Sequence, residues 1–464
     1  MTHVLNLVDG ASLDAEGKLD LTDPASGEAF GTSVLSGQSE VDTAMAAAAR
    51  AFRTWRRSTP AQRQHALLKI ADALEARAAE FADAEVRETG KIRAVVLEEE
   101  IPESVSALRF FAGAARQLEG TGAGEYLEGH TSVIRREPVG VCAQIAPWNY
   151  PLMMGVWKIG PALAAGNTVV LKPAETTPST AVLLAQLAAE FLPPGVFNVL
   201  CGDRATGRAL VAHPATDLVS ITGSTRAGID VATVAAADLK RTHLELGGNA
   251  PLLVFPDSDA DTAERIVGAA FYNAGQDCTA GSRVLVHASV HDSLVAALTK
   301  IAATQRPGVD YGPLNSRAQL DRVLGLLDRL PAHARVETGG TAVGPGFQLA
   351  PTVVSGLHQD DELVQQEVFA PVITVQPFAD ETEALDLANG VPYGLASSVW
   401  TTDVARAARV SRDLDFGCVW VNTHGPLTAE MPHGGYGHSG HGKDLSAYSF
   451  AEYTRVKHVM TRFE

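Results

Sequence analysis

The pattern of apolar and polar positions differs between the first third of the chain and the rest. In the first third, apolar residues recur with helical spacing. Ser39 and Asp42 form a capping-box pattern that opens the Ala-rich helix EVDTAMAAAARAFRTW, and Thr59–Pro60 has the residue types of an N-cap and first turn. We expect Gly90 to end the helical region and the second helix to bury one face. That face carries Leu67, Leu68, Ile70, Ala71 and Leu74.

Short apolar runs replace this pattern from about residue 140. VGVCAQIAP, NTVVLKP, VFNVLCG, DLVSITGS and HLELGG recur at intervals, mostly with helix-like segments between them. This alternation predicts an α/β fold with a parallel sheet flanked by helices, in which ligands bind at the carboxyl ends of the strands. The same mixture continues in the second half. It predicts helices at 257–273, 290–304 and 381–389, and strands at 283–287, 351–355 and 372–376.

Composition and charge narrow the class of protein. The chain has 464 residues, 46% hydrophobic and 20% charged, which is typical of a globular protein of roughly two to four domains. Its formal net charge of −17 repels phosphate backbones, so nucleic acid is not an expected partner. The start lacks a signal-peptide pattern, and no long apolar run predicts a membrane span. The four cysteines are widely spaced, which excludes a C-x-x-C unit and favours free thiols in the cytoplasm.

Cys278 lies in an unusual setting for a cysteine. The stretch FYNAGQDCTAGSR surrounds it with small and polar residues, which offer little apolar surface for packing a thiol. Three interpretations compete: a structural thiol, a disulfide or metal ligand, and a catalytic nucleophile. A nucleophilic cysteine needs a lowered pKa or a neighbouring base, and spacing along the chain does not show which groups it meets.

Two other motifs carry groups that suit such a nucleophile. Glu245 ends the strand of LELGGNAP, where two glycines allow close approach, and it is either a buried structural acid or a general base. Asn149 lies between two prolines in APWNYP, where a fixed amide either donates to a developing oxyanion or caps a turn. Both choices stay open at this point.

The signals for a cofactor are individually weak. No G-x-G-x-x-G follows any predicted strand. The turn at 222–224 nevertheless joins a strand to a helix, where backbone N–H groups and hydroxyls can hold a pyrophosphate. Lys172 and Glu175 in LKPAE suit ribose hydroxyls, and each is equally a solvated loop charge. His433, His438 and His441 suggest a metal site, but the glycines between them favour a mobile polar loop.

The order of these motifs is more informative than any one of them. PWNYP, LKPAETTP, ITGSTRAG, LELGGNAP, NAGQDCTAGSR, QEVFAPV and GGYGHSGHGKD follow one another as in the NAD(P)-dependent aldehyde dehydrogenase superfamily, which the chain resembles from about residue 5 to 460. The resemblance implies a Rossmann-like NAD-binding domain at 1–119 and 140–245. It further implies an α/β catalytic domain at 246–443, and a β oligomerisation arm and tail at 120–139 and 444–464.

The resemblance also implies a role for each motif residue. Cys278 attacks the aldehyde, Asn149 and the Cys278 N–H bind the oxyanion, and Glu245 activates the water that hydrolyses the thioester. Glu175 accepts from a free 2′-hydroxyl, which favours NAD over NADP. No metal is expected. The expected cofactor-binding residues are Ile145, Ala146, Pro147, Trp148, Lys172, Ala174, Glu175, Gly207, Gly223, Ser224, Leu246, Glu367 and Phe369.

A finer resemblance is to the γ-aminobutyraldehyde dehydrogenase branch, carried by FFAGAA, GEYLEGHTSVIRREPVGV, PWNYPLMMGVWK and WVNTHGPLTAEMPHGGYGHSGHGKDLS. It implies oxidation of 4-aminobutanal in putrescine breakdown by a cytoplasmic homo-oligomer, a dimer or a tetramer. The alternatives are betaine aldehyde or succinate semialdehyde as substrate, or a non-catalytic NAD-binding paralogue. Glu100 and Glu103 are equally explained as a solvated acidic face. The expected contacts to the substrate are Glu100, Glu103, Tyr150, Trp157 and Asp277.

Overall fold

Two mainly parallel β-sheets with helices packed on their faces organise the residues that the structure, a computed structural model, describes: 2–117 and 122–463. The strands are β1 (Thr2–Val4), β2 (Asn6–Val8), β3 (Ala11–Leu13), β4 (Gly17–Asp23), β5 (Glu28–Leu35), β6 (Gly124–Leu127), β7 (His130–Pro138), β8 (Val141–Ile145), β9 (Thr168–Lys172), β10 (Phe197–Val199), β11 (Leu218–Thr222), β12 (Arg241–Glu245), β13 (Pro251–Val254), β14 (Arg283–His287), β15 (Arg335–Thr338), β16 (Thr352–Ser355), β17 (Val372–Phe378), β18 (Tyr393–Gly394), β19 (Ala396–Trp400), β20 (Cys418–Val421), β21 (Tyr436–Gly437), β22 (Gly440–His441) and β23 (Thr454–Arg462).

Helices connect most of these strands. They are α1 (Gln38–Trp55), α2 (Pro60–Ala76), α3 (Ala78–Thr89), α4 (Arg93–Val95), α5 (Ile101–Ala114), α6 (Pro151–Ala165), α7 (Ser179–Ala188), α8 (Arg204–Ala212), α9 (Thr225–Ala236), α10 (Thr262–Phe271), α11 (His291–Ala302), α12 (Arg317–Asp328), α13 (Glu362–Gln365), α14 (Glu381–Asn389), α15 (Val404–Asp413) and α16 (Ser446–Glu452). A π-helical segment, Val96–Glu100, joins α4 to α5, and a 3₁₀ turn, Tyr272–Gly275, follows α10. Within the described residues, no helix combines the length and apolarity that a bilayer span requires.

The first sheet has the strand order β22-β12-β11-β8-β9-β10-β2-β3. Its central strands, from β12 to β10, are parallel, and their register places Ile145 beside Lys172 and Thr222 beside Glu245. These strands are almost wholly buried because helices cover both faces. Ile145, Lys172, Thr222 and Glu245 therefore lie along one edge of the sheet, at the carboxyl ends of their strands.

The second sheet has the order β15-β16-β17-β14-β13-β19-β20, parallel except for β15. The chain passes from the first sheet to this one through residues 246–250, between the end of β12 and the start of β13, and returns after β20 to β22 of the first sheet. Cys278 shortly precedes β14, and Glu367 and Phe369 shortly precede β17. The amino edge of the second sheet thus meets the carboxyl edge of the first.

A third sheet contains the predicted arm and tail. β6 and β7 form an antiparallel hairpin, and β23 pairs antiparallel with β7 from Thr454 beside Pro138 to Arg462 beside His130. The predicted hairpin is confirmed over the described part, while residues 120 and 121 of the expected arm lie outside it.

Most predicted elements are confirmed, including the strands after residue 140 and the start of α2. Thr59 caps α2 by accepting from the Gln62 N–H, and Gly90 ends α3 with a left-handed φ of 70°. The predicted helix at 257–273 is shorter, Thr262–Phe271. It ends because Asn273 and Ala274 take left-handed φ values of 47° and 57°.

Three details of the helical prediction are wrong. Residues 2–35, in the third of the chain that was predicted to be helical, form strands β1 to β5. The capping box of α1 lies two residues before Ser39, because Glu40 accepts from the Gly37 N–H at 2.7 Å and so satisfies the free donor at the helix start. Asp42 instead accepts from the Gln38 side chain. Leu68, expected on the inner face of α2, is 37% exposed, whereas the other four apolar residues of that face are buried.

Candidate active site

A cavity of about 1100 Å³ lies where the two sheets meet. Such cavities at strand ends are the usual ligand sites of α/β proteins. The expected residues that line it are Glu100, Glu103, Pro147, Trp148, Asn149, Tyr150, Trp157, Gly223, Ser224, Glu245, Leu246, Asp277, Cys278, Glu367 and Phe369. The expected residues outside its lining are Ile145, Ala146, Lys172, Ala174, Glu175 and Gly207.

The loop that carries Cys278 is held by its own side chains. After the left-handed turn at Asn273 and Ala274, the Gln276 side chain donates to the Pro313 carbonyl at 3.1 Å and accepts from the Asn315 N–H at 2.9 Å. Non-glycine residues keep left-handed backbone only where their surroundings impose it. The nucleophile candidate therefore sits on a firmly positioned loop.

Asn149 lies directly against this loop. Its side-chain N–H donates to the Gln276 carbonyl at 3.1 Å, and Asn273 donates to the Asn149 carbonyl at 3.1 Å. A carboxamide has two N–H groups, so one can fix the side chain to the loop while the other serves a substrate oxygen. This arrangement suits the oxyanion interpretation of Asn149 better than a turn cap.

Glu245 faces the thiol from the end of β12. Both of its carboxylate oxygens are buried without a hydrogen-bond donor among the described residues. Glu245, Cys278 and His433 each contribute one atom that could bind a metal, and these three atoms lie within 4.8 Å of one another. A structural acid at this depth would be hydrogen-bonded. The geometry therefore favours a general base over a structural acid.

The electrostatics at Cys278 are those of a neutral thiol. Burial, and after it the carboxylates of Glu245, Asp277 and Glu367, raise the pKa of the Cys278 thiol well above its ordinary value. A cysteine becomes a nucleophile through a lowered pKa or through a neighbouring base, and these residues do not lower the pKa of Cys278. The other route, a neighbouring base, is supplied by Glu245.

Two glycines bring the connection between the sheets close to these groups. A Cβ at Gly248 would overlap the Cys278 carbonyl oxygen, and a Cβ at Gly247 would overlap the Glu367 carboxylate. The Gly248 N–H donates to Glu367 at 2.9 Å. Burial, opposed by this hydrogen bond, raises the pKa of Glu367 to about 7. Only glycine allows both close approaches.

Lys172 is not the solvated loop charge that its position suggested. Its side chain is buried, and the Nζ donates to the carbonyls of Pro173 and Gly202, both at 2.8 Å. Gly207 lies next to it, and a Cβ there would be 3.4 Å from the Lys172 side chain. Burial lowers the pKa of Lys172, with Glu175 opposing. Glu175 itself is exposed.

The cofactor candidates Trp148, Gly223, Ser224 and Phe369 lie along the cavity, whereas Ile145, Ala146 and Ala174 lie outside its lining. Ser224 caps α9 by accepting from the Ala227 N–H at 3.3 Å, so the positive end of a twelve-residue helix reaches the lining beside Gly223. Elsewhere in the lining, the rings of Trp148 and Phe369 meet edge to face, with centroids 5.3 Å apart. Anion-binding and aromatic groups in one cavity fit a dinucleotide.

Glu100 and Glu103 do not form the expected pair of free acids. Glu100 ends the π-helical segment and is buried against Lys91, whose Nζ lies 2.6 Å from Glu100 and 3.3 Å from Glu85. Burial raises the pKa of Glu100 to about 8, with Lys91 opposing and Glu85 adding to the rise. Because Lys91 already pairs with Glu100, Glu103 is the freer of the two acids for a cationic substrate.

Tyr150 and Asp277 are joined at the cavity wall. The Tyr150 hydroxyl donates to Asp277 at 2.7 Å, and the Lys91 Nζ lies 4.3 Å from the centroid of the Tyr150 ring. One face of the Tyr150 ring, an expected substrate contact, is therefore occupied by a cation of the protein itself. Asp277 remains in the lining beside the nucleophile.

Several lining residues lay outside the sequence-based site prediction: Glu99, Tyr272, His424 and His433. His433 is 2% exposed, and its ring meets that of Trp157 with centroids 5.6 Å apart. The mobile-loop interpretation is wrong for this residue, because His433 and Asp444 exchange backbone hydrogen bonds at 2.9 and 2.7 Å. The only sequence signal was a histidine among glycines next to a proline.

The rest of the histidine segment is also ordered. Tyr436–Gly437 pairs with β18, and Gly440–His441 pairs with β12. His438 and His441 are exposed and do not join the cluster around Cys278. The three histidines therefore do not form a common metal site.

Comparison with known proteins agrees with this geometry. Residues 12–459 match the aldehyde dehydrogenase family. The structure superposes on the NAD-dependent aldehyde dehydrogenase of Sinorhizobium meliloti with a TM-score of 0.97 and 36% identity, covering 100% of this chain and 95% of that one. It superposes on a betaine aldehyde dehydrogenase of Staphylococcus aureus in complex with NAD+ with a TM-score of 0.97 and 33% identity, covering 99% of this chain and 95% of that one. The chain therefore belongs to the aldehyde dehydrogenase family and has its fold.

Proposed function

We propose that the protein oxidises an aldehyde to a carboxylic acid with NAD, through a thioester on Cys278. The observation that carries this proposal is the convergence of Cys278, Asn149 and Glu245, from three separate motifs, on one cavity. A non-catalytic paralogue would have no use for a buried carboxylate that faces a thiol and accepts no hydrogen bond from the described residues.

Each of the three residues has a distinct task. The Cys278 sulfur adds to the aldehyde carbon as its proton leaves to Glu245 and then to solvent. The Asn149 amide and the Cys278 backbone N–H donate to the oxygen that gains negative charge. After the carbon has lost a hydride, Glu245 takes a proton from the water that attacks the thioester. The acid leaves and the thiol is restored.

NAD, when bound, supplies the two-electron acceptor for that hydride. The start of α9 at Gly223 and Ser224 suits the pyrophosphate, and Glu367 suits the nicotinamide ribose. The exposed Glu175 would accept from a ribose 2′-hydroxyl and repel a 2′-phosphate. A structurally similar betaine aldehyde dehydrogenase in complex with NAD+ supports the same choice.

The substrate that suits the cavity best is an aminoaldehyde, with 4-aminobutanal, a product of putrescine breakdown, as the leading candidate. The acids Glu99, Glu103 and Asp277 in the lining attract an ammonium group. Betaine aldehyde is the second candidate, since its cation would meet the same acids and a betaine aldehyde dehydrogenase is structurally similar. Succinate semialdehyde is disfavoured, because the lining arginines Arg226 and Arg322 lie beside Ser224 and Glu367, in the cofactor region.

The expected division into domains and arm is part of this proposal, although its boundary at 119–120 lies outside the described residues. The outer sheet of β6, β7 and β23 exposes apolar side chains, among them Tyr126, Leu127 and Val456, which suits pairing with further copies in a dimer or tetramer. All four cysteines are free thiols, which suits the cytoplasm.

The test is NADH formation by the purified protein with 4-aminobutanal, betaine aldehyde, butanal and succinate semialdehyde. We expect the highest kcat/KM for 4-aminobutanal, and no turnover of any aldehyde by Cys278→Ala with NAD binding retained. Turnover by that variant would contradict the thioester route, and a preference for succinate semialdehyde would contradict the substrate class.

A further inference from the structure

Three side chains that can each ligate a metal, including that of the nucleophile, meet in the cavity. One ligand atom each from Cys278, Glu245 and His433 lie within 4.8 Å of one another. They come from three separate parts of the chain: the loop before β14, the end of β12, and the segment before β21. Thiolate, carboxylate and imidazole are the three ligand types that zinc takes in proteins.

The spacing of His433 and Glu245 is not that of a hydrogen bond. The His433 Nε2 lies 3.6 Å from the nearer Glu245 oxygen, which is too long for an N–H···O contact. Two ligands on a tetrahedral zinc, each about 2.0–2.1 Å from the metal, are about 3.3–3.4 Å apart. The observed separation of 3.6 Å is close to this ligand–ligand distance. Neither Glu245 oxygen has another donor among the described residues.

The charge of the cavity also favours a cation at this place. Glu99, Glu103, Glu367 and Asp277 line the cavity together with Glu245, whereas the lining arginines Arg226 and Arg322 lie beside Ser224 and Glu367. A divalent cation bound to Glu245 and to the Cys278 thiolate forms a neutral unit in a buried setting, which offsets the cost of burying a carboxylate that accepts no hydrogen bond from the described residues.

We propose that Cys278, Glu245 and His433 form a binding site for a divalent cation of the zinc class, which caps the nucleophile reversibly and inhibits the enzyme. The Cys278 S–H bond breaks, its proton leaves to solvent, and a sulfur–metal bond forms; no group is oxidised or reduced. The fourth position of the metal faces the cavity and takes water. The site goes beyond the proposed dehydrogenase function and exists whether or not the aldehyde assignment is right.

A second cluster has to be controlled for. His333, His358 and Asp361 also bring ligand atoms within 4.8 Å of one another, on the exposed surface. Removing it by His358→Asn leaves the cavity untouched, so this substitution provides the background for the binding experiment. Cys418, a half-buried thiol outside the cavity lining, is removed by Cys418→Ser in the same background.

The direct test is a titration of the metal-free protein with Co²⁺, read by the sulfur-to-cobalt charge-transfer absorption. In the control background we expect the protein to bind one equivalent of Co²⁺ with tetrahedral d–d bands. The charge-transfer band should be lost in Cys278→Ser. His433→Phe should bind Co²⁺ at least about tenfold more weakly. His433→Gln is the second variant if the Phe variant does not fold. Unchanged affinity in the histidine variants would overturn the three-ligand site.

The functional test is inhibition of NADH formation by Zn²⁺, scored against each variant's own metal-free rate. We expect a chelator to reverse the inhibition and Zn²⁺ to protect Cys278 from alkylation by iodoacetamide. His433→Phe should raise the Zn²⁺ concentration for half-maximal inhibition, the midpoint, at least about tenfold. His358→Asn should not move the midpoint. Equal sensitivity of wild type and His433→Phe would show metal bound by the thiol without the histidine and would refute the proposal. Alkylation protection needs no turnover, so it separates this result from failure of the proposed function.

Discussion

The Tyr150 hydroxyl donates to Asp277 at 2.7 Å and joins the loop after β8 to the loop that carries Cys278. The other Asp277 oxygen accepts from the backbone N–H and the hydroxyl of Thr279, both at 2.7 Å. Asp277 is therefore held in one orientation at the cavity wall. Its charge has a fixed place relative to the nucleophile one residue away.

Asp277→Asn should lower kcat/KM for 4-aminobutanal more than for butanal. A partly exposed ion pair contributes about 1 kcal/mol, so the ratio of the two values should fall roughly fivefold. Steady-state NADH formation with both aldehydes measures it. Tyr150→Phe is the control, because it removes the hydrogen bond and keeps the carboxylate. An equal loss of kcat/KM for the two aldehydes in Asp277→Asn would show that Asp277 does not select the substrate.

Glu245→Gln should separate the two halves of the reaction. The thioester can still form with a slower base or water, whereas its hydrolysis loses the group that deprotonates water, at a cost of about 10²–10⁴-fold. We expect a burst of one NADH per active site followed by slow turnover, seen by stopped-flow absorbance. A steady state as fast as wild type, with no burst, would assign the base to another residue.

Gly248→Ala should impair catalysis far more than a usual Gly-to-Ala change. The new Cβ would overlap the Cys278 carbonyl oxygen, and backbone on both sides leaves no flexible group to yield. A shift of the nucleophile by about 1 Å costs roughly 100-fold in rate. Gly113→Ala in α5 is the matched control, since its Cβ meets no atom within 4 Å. If Gly248→Ala turned over like the control, the close contact would not position Cys278.

Glu175→Gln should widen cofactor use toward NADP. The exposed carboxylate repels a 2′-phosphate, whereas an amide can donate to it, so the ratio of kcat/KM for NADP to that for NAD should rise about tenfold. Glu190→Gln, at another exposed acid, controls for the change in net charge. An identical ratio in both variants would mean that Glu175 does not read the ribose.

Stability should depend on pH through Glu88, which lies on α3 and accepts from the Ser179 N–H at 3.0 Å and the Ser179 hydroxyl at 2.5 Å. Burial, opposed by these hydrogen bonds, raises the pKa of Glu88 from 4.5 to about 8. The folded state therefore holds a proton that the unfolded state releases, and stability falls as pH rises from about 4.5 to 8.

Glu88→Gln imitates the protonated acid and should remove this loss. We expect the Tm of the variant, relative to wild type, to increase between pH 5 and pH 8 in thermal unfolding. Glu16→Gln, at an exposed acid, should show no such trend. A Tm difference for Glu88→Gln that is constant with pH would mean that the buried carboxyl is not protonated in the folded protein.

Local signals were enough for the α/β class, whereas the motif residues that line the cavity were identified from the family resemblance in motif order. Strand runs, the Thr59 cap and the Gly90 stop depend on neighbours in the chain, and the structure confirms them. The pairing of Glu100 with Lys91 could not be predicted, because it depends on how α3 packs against the π-helical segment. His433 was missed for the same reason: its partner Glu245 is distant in sequence, and nothing near His433 marks it as buried.

The five-residue connection from β12 to β13 has a mechanical consequence. Glu245 is the last residue of β12 in the first sheet, and Cys278 lies shortly before β14 in the second. A rocking of one sheet against the other therefore changes the separation of Glu245 and Cys278 directly, without any rotamer change. The same motion would change the room for a water between them, and the close contacts at Gly247 and Gly248 limit such a motion.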